Sequence, residues 1–201
     1  MEGAERRSAP SMVSGMTRRA VLALLLLALL LPLTGCGGDD DVAGGAADLP
    51  GAVPAGVEFV DPPASAPAAP DFLVELADGT PVRASELWAE RPVVLVFTAS
   101  FCERCADIHR DVAAAVDEHD GAIALLGVAG SDDTGAQEYA EELDLGHPLA
   151  LAGDRVWLSY AAREPALVAL VSRGGKVLRG WPNGVAGDEL APRLDELLVH
   201  E

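Results

Sequence analysis

Positive charge is scarce in this chain: 14 Lys and Arg stand against 32 Asp and Glu, a formal net charge of −18 at pH 7. Four of the basic residues (Arg6, Arg7, Arg18, Arg19) and two acidic ones (Glu2, Glu5) fall before residue 36, so the remainder carries ten positive and thirty negative side chains. Nucleic-acid binding and electrostatic attachment to an anionic leaflet both need clustered Lys or Arg, and the composition argues against each. The acid excess reads as a solvated surface, screened at physiological salt over a Debye length of about 8 Å. Aromatic residues are few, 4%, yet half of the 201 residues are hydrophobic, enough for one domain with a sizeable core plus appendages. No internal repeat is present. The apolar run Ala20 to Leu31 has twelve residues, too short to span a bilayer, which takes about 20. Cysteine occurs three times, at 36, 102 and 105. Zinc would need two further ligands beside the 102/105 pair, and no second Cys-x-x-Cys or His pair supplies them, so no metal site is expected.

What is present centres on Val93-Val94-Leu95-Val96-Phe97-Thr98-Ala99-Ser100-Phe101-Cys102-Glu103-Arg104-Cys105. The unbroken apolar run after Pro92 is too short for an ordinary helix and predicts a buried strand. Beyond Cys105, Ile108, Val112, Ala115 and Val116 recur at three- and four-residue spacing, one face of a helix that starts near Cys102. Free N–H groups and partial positive charge at a helix N-terminus favour a thiolate, which makes Cys102 the candidate nucleophile. Cys105, one turn along the same face, is within reach for a disulfide and shielded by the helix body, which makes it the candidate resolving thiol. Cysteines in such pairs have pKa values of roughly 3.5 to 7.5.

Strand, turn, Phe-Cys-Glu-Arg-Cys and helix together resemble the active-site segment of the thioredoxin superfamily. Arg163-Glu164-Pro165 ahead of the apolar run Ala166 to Val171, with the turn Arg173-Gly174-Gly175-Lys176-Val177 after it, resembles the segment where that superfamily places a cis-proline before a strand. Asp71 to Val82 is similar to the opening hairpin of the membrane-anchored TlpA/ResA-like branch and its redoxin relatives. The resemblance covers residues 71–201. It implies an α/β, thioredoxin-like fold, a central mixed β-sheet with helices on both faces. It also implies a thiol-disulfide oxidoreductase with a redox-active Cys102–Cys105 disulfide and no other cofactor, acting as a monomer on thiols and disulfides of partner proteins. Phe101, Glu164 and Pro165 become substrate-binding residues, with the Glu164–Pro165 bond cis. The chain departs from the family pattern at Phe101, commonly Trp, and at Arg104, commonly Pro. It also departs at Val96 and Ile108, where thioredoxin and the ResA-like proteins respectively carry an acidic residue. The usual proton acceptor is absent from both places, which leaves the redox direction open.

Arg18-Arg19 and the twelve apolar residues read as an export signal. Leu33-Thr34-Gly35-Cys36 resembles the lipobox of bacterial lipoproteins, which implies cleavage after Gly35, a lipidated Cys36 and a location on the extracytoplasmic face of the cell membrane. Residues 1–35 are then the signal peptide, 36–70 a Gly/Ala/Pro/Asp tether with Val57 to Val60 as its one ordered stretch, and 71–201 the domain. Within the domain we expect a hairpin turning at Asp78-Gly79, a short helix capped by Ser85, and the strand 93–98. The cysteine-bearing helix should run to about His119, followed by a strand at 123–128 and a helix over 134–143. Strands at 167–171 and 176–179 and a final helix capped by Asp188 close the chain.

His109, four residues past Cys105, shares its helix face; an acid/base aid or a copper ligand is conceivable there, and an exposed helix histidine is the simpler reading. His147 reads as a loop residue, and Trp157 and Trp181 as packing residues or walls of a groove. Two other functional classes stay open. One is a redox-inactive binding module stapled by its disulfide. The other is a thiol-dependent peroxidase, against which stands Ala99 where peroxiredoxins have threonine.

Overall fold

The structure, a computed structural model, describes residues 42–199. Seven strands, β1 (Leu73–Leu76), β2 (Pro81–Arg83), β3 (Val93–Phe97), β4 (Ala124–Gly130), β5 (Leu149–Ala152), β6 (Leu167–Val171) and β7 (Val177–Trp181), form one sheet in the order β2-β1-β5-β4-β3-β6-β7. Five helices, α1 (Ala84–Glu90), α2 (Glu103–Asp117), α3 (Ala136–Glu142), α4 (Asp154–Ser159) and α5 (Gly187–Asp195), follow β2, β3, β4, β5 and β7 respectively. β3 pairs parallel with β4 and antiparallel with β6, so the sheet is mixed, as expected.

All five residues of β3 are fully buried, and its alternation divides them between two cores. Val93, Leu95 and Phe97 pack with Trp88 of α1 and with Val156, Trp157 and Tyr160. Val94 and Val96 pack on the opposite face with Val112 and Val116 of α2 and Leu190 and Leu194 of α5. A strand buried on both faces needs apolar side chains throughout, which is why the run Val-Val-Leu-Val-Phe carries no polar residue.

The first hairpin turns where expected. Gly79 has φ +82°, and its N–H donates to the Leu76 carbonyl. Two caps fall elsewhere than expected. Arg83 is the N-cap of α1, and Asp71 reaches from outside the helix to accept from the Ser85 N–H at 3.0 Å. α5 begins at Gly187 with Ala186 as N-cap, so Asp188 lies in its first turn.

The stretch 42–70 does not stand off as a tether. The Gly44 carbonyl accepts from Leu149 N–H and the Asp78 carboxylate from Ala46 N–H. Arg91, itself buried, donates to the Gly51 carbonyl. Phe59 bridges Leu198, and Ala68 bridges Lys176. Polar, Gly- and Pro-rich sequence is held here by hydrogen bonds to its main chain, with Ala43, Ala46, Leu49 and Ala69 packing on the cores. The expected ordered stretch, Val57 to Val60, is the part that pairs with the C-terminal residues: Val60 N–H donates to Leu197 and Val199 N–H to Glu58. Residues 37–41, the signal segment and Cys36 lie outside the described residues. Among the described residues no helix is long and apolar enough to cross a membrane.

Candidate active site

The turn after β3 delivers both cysteines. Thr98 N–H donates to Val128 of β4, and Ser100 is clamped by Asp133, whose carboxylate accepts from its N–H at 2.8 Å and from its hydroxyl at 2.5 Å. Cys102 is the N-cap residue of α2, with its N–H on the Ala99 carbonyl. Cys102 and Cys105 are disulfide-bonded, with Cα atoms 5.3 Å apart. Their environments differ as the helix position predicts. Cys102 is half-buried, while Cys105 has no exposed surface and packs with Tyr139 and Ala166.

A shallow groove beside the disulfide is lined by Phe101, Cys102, Glu103, Arg104, Glu164 and Pro165. Three candidate substrate-binding residues thus meet at the cysteines. Phe101 is 79% exposed, a large apolar surface next to Cys102. Arg104 donates to the Asn183 carbonyl. A neighbouring pocket, lined by Ser100, Phe101, Trp157, Arg163 and Pro165 among others, continues the groove, and its Trp157 also packs edge-on against Phe97 at 5.3 Å. Trp181 is a packing residue: it is buried, and its indole N–H donates to Glu189 at 2.9 Å.

The expected cis bond before Pro165 is not found; among the described residues no peptide bond is cis. The chain turns into β6 by another means. Ala166 adopts a left-handed backbone, φ +74°, and its N–H donates to the Phe97 carbonyl at 2.8 Å. Pro165 reaches the groove with a trans bond, so presentation of the Glu164 backbone through a cis turn is withdrawn.

His109 is not the exposed residue expected. It is fully buried, with its ring 5.9 Å from Tyr139 and 5.2 Å from His147, measured between centroids. His147 stands in a loop, as expected, but is buried too. Burial lowers the His109 pKa to about 4, with the Val96 carbonyl pulling the other way. Burial, then the neighbouring His109, lowers that of His147 to about 3. Thr98 donates to the Tyr139 hydroxyl at 3.0 Å, and burial raises the Tyr139 pKa. Asp133, Thr98 and Tyr139 were not singled out in the sequence, because the chemistry they support lies on β3 and α2 while the contacts are 33 and 41 residues long. No group of three or more His, Cys, Asp or Glu placed to hold a metal occurs among the described residues.

A mixed sheet with helices on both faces and a Cys-x-x-Cys disulfide at the N-terminus of the helix after β3 define a thioredoxin-like protein. Residues 66–171 match the AhpC/TSA family, and the chain belongs to that family. Solved structures agree on the fold. A candidate protein disulfide isomerase from Bacteroides thetaiotaomicron aligns at TM-score 0.59 and 24% identity, over 71% of this chain and 93% of its own. A secreted disulfide oxidoreductase of Mycobacterium tuberculosis, described as homologous to DsbE of E. coli, aligns at 0.55 and 21%, over 63% and 96%. The exposed lipoprotein thioredoxin of Streptococcus pneumoniae aligns at 0.56 and 23%, over 64% and 100%. No curated protein matches the chain.

Proposed function

We propose that the protein is an extracytoplasmic thiol-disulfide oxidoreductase that exchanges disulfides with partner proteins through Cys102 and Cys105. The observation that carries this reading is the asymmetry of the pair: Cys102 half-buried at a helix N-terminus and lining an open groove, Cys105 without exposed surface. In the reducing direction, the Cys102 thiolate attacks one sulfur of a partner disulfide and expels the other as a thiolate. Cys105, as thiolate, then attacks Cys102; the partner leaves as its second thiolate, and the protein retains the disulfide. The oxidising direction is the reverse. Phe101 and Pro165 offer apolar contact to the partner chain, and Glu164, exposed at the groove edge, a polar one. No cofactor beyond the disulfide is invoked.

The anchor belongs to the same reading. Residues 1–35 act as signal peptide and Cys36 carries lipid, which places the domain on the outer face of the cell membrane; the lipoprotein thioredoxin of S. pneumoniae is a relative in fold of that kind. The deciding experiment is trapping on a Cys105→Ser variant, which should accumulate mixed disulfides through Cys102 with exported proteins. A variant that traps nothing, together with a wild-type reduction potential below about −300 mV, would favour the structural staple instead. Peroxide consumption by the wild type at a rate exceeding disulfide exchange would favour the peroxidase.

A further inference from the structure

Resting on the oxidoreductase reading, we propose that His109, backed by His147, is the proton acceptor for the Cys105 thiol. Resolution of a mixed disulfide requires that Cys105 lose its proton, yet Cys105 has no exposed surface from which water could take it. His109 is one helical turn further along α2, at a spacing that puts Cβ atoms about 6 Å apart, and is equally buried. Among the described residues no well-formed hydrogen bond reaches either His109 ring nitrogen or Nε2 of His147, although the Val96 carbonyl lies close to the His109 ring. Two buried imidazoles so sparsely partnered are costly to keep for packing alone.

The fold makes room for this ring. A Cβ at position 127 on β4 would lie 3.2 Å from His109 Cε1, so Gly127 is part of its seat. The groups facing His109 are the Val96 carbonyl from β3, the Tyr139 phenol from α3, which also packs with Cys105, and the His147 imidazole from the 143–148 loop; Cys105 precedes it by one turn on the same buried stripe of α2. A cleft of about 320 Å³, lined by both histidines, runs between α2 and that loop to Arg110, Asp117 and Asp144, all exposed. Of mixed lining but wide enough for water, it offers the proton a way out toward those charged side chains.

The step balances. The Cys105 S–H proton passes to a ring nitrogen of His109; the Cys105 thiolate forms the bond to Cys102 Sγ as the Cys102–partner bond breaks. The partner leaves with the electron pair as thiolate, and the imidazolium gives its proton to His147 and the cleft. The dithiol is oxidised by two electrons and the partner disulfide reduced by two. In the disulfide state burial keeps His109 neutral, so it stands in the accepting form; a Cys105 thiolate beside it draws its basicity back up.

The test uses the full chain and oxidised glutathione, following release of the first and second glutathione against pH. His109→Gln should leave the first release within about twofold of wild type and slow the second by roughly 10²-fold at neutral pH, and added imidazole should restore part of the second in His109→Ala. A second release with wild-type rate and pH profile in His109→Gln overturns the proposal. A wild type that releases no first glutathione overturns the oxidoreductase reading itself, and this is seen before any variant is made. If the variants do not fold, nitrogen-15 NMR of the wild-type imidazoles decides: the His109 pKa should rise by roughly one unit or more on reduction of the disulfide, and a value indifferent to reduction overturns the assignment.

Discussion

The Arg91 guanidinium donates to the carbonyl oxygen of Gly51, forty residues earlier, and so fastens the N-terminal stretch to the end of α1. A second donation, to the Gly121 carbonyl, leaves the side chain almost wholly enclosed. Hydrogen bonds from a charged donor contribute about 1.5–3 kcal/mol each. Arg91→Met, which keeps the volume, should lower stability by roughly 3 kcal/mol in urea unfolding and expose the segment near Gly51 to protease. Unchanged cleavage there would mean that the other contacts hold the stretch alone.

Alkylation of the reduced protein at neutral pH should mark Cys102 first. It is half-buried at the start of α2, whereas Cys105 is closed off by Tyr139 and Ala166. Peptide mapping after brief iodoacetamide treatment reads the outcome, and preferential labelling of Cys105 would reverse the two roles.

Acid should destabilise the protein before its carboxylates titrate. Both buried histidines are held neutral when folded, while the unfolded chain takes up their protons below about pH 6.5. Their contribution is therefore complete above that pH and is lost as pH falls toward about 4 for His109 and about 3 for His147. The His109 shift alone corresponds to on the order of 3 kcal/mol. Urea midpoints at pH 7 and 4.5 should differ clearly in the wild type and much less in a His109→Gln, His147→Gln variant.

Gly127→Ala should destabilise by about 1–3 kcal/mol, since the added methyl would lie 2.7 Å from Leu149 Cδ1 as well as against His109. Alkylation of Cys102 should stay at the wild-type rate, because Gly127 does not line the groove at Cys102. A neutral effect on thermal unfolding would show that the strand can shift aside.

Lipidation is tested by Cys36→Ala. Each buried methylene adds about 0.8 kcal/mol of membrane affinity, so an acylated protein should pellet with membranes and the variant should not. Equal pelleting would remove the lipid from the reading.

The fold was legible because its signals are local. An uninterrupted apolar run, a cysteine pair after it and a 3.6-residue periodicity each reside in one segment, and together they place β3, the disulfide and α2. His109 was also within reach. Cys105, His109, Val112 and Val116 follow at spacings of four, three and four on the buried stripe, but residue type, a polar ring, was given more weight than period. The partner His147 was not legible, since its contact spans 38 residues and depends on how the 143–148 loop folds back. The same holds for Asp71 capping α1 from fourteen residues away. The N-terminal stretch escaped for another reason: its own main-chain groups are what the domain holds, through distant partners such as Arg91 and Leu149, and these leave no mark in its side-chain pattern. At Pro165 the position was right and the isomer wrong, because Ala166 carries the turn with its own backbone.

The bridge between Phe59 and Leu198 joins residues 139 positions apart near opposite ends of the domain. Such a pairing cannot form until nearly the whole sequence has been made available, so a chain emerging N-terminus first must hold residues 57–60 uncommitted while the sheet assembles. Residues 57–60 therefore dock late, after the residues around Leu198 have become available to pair with them.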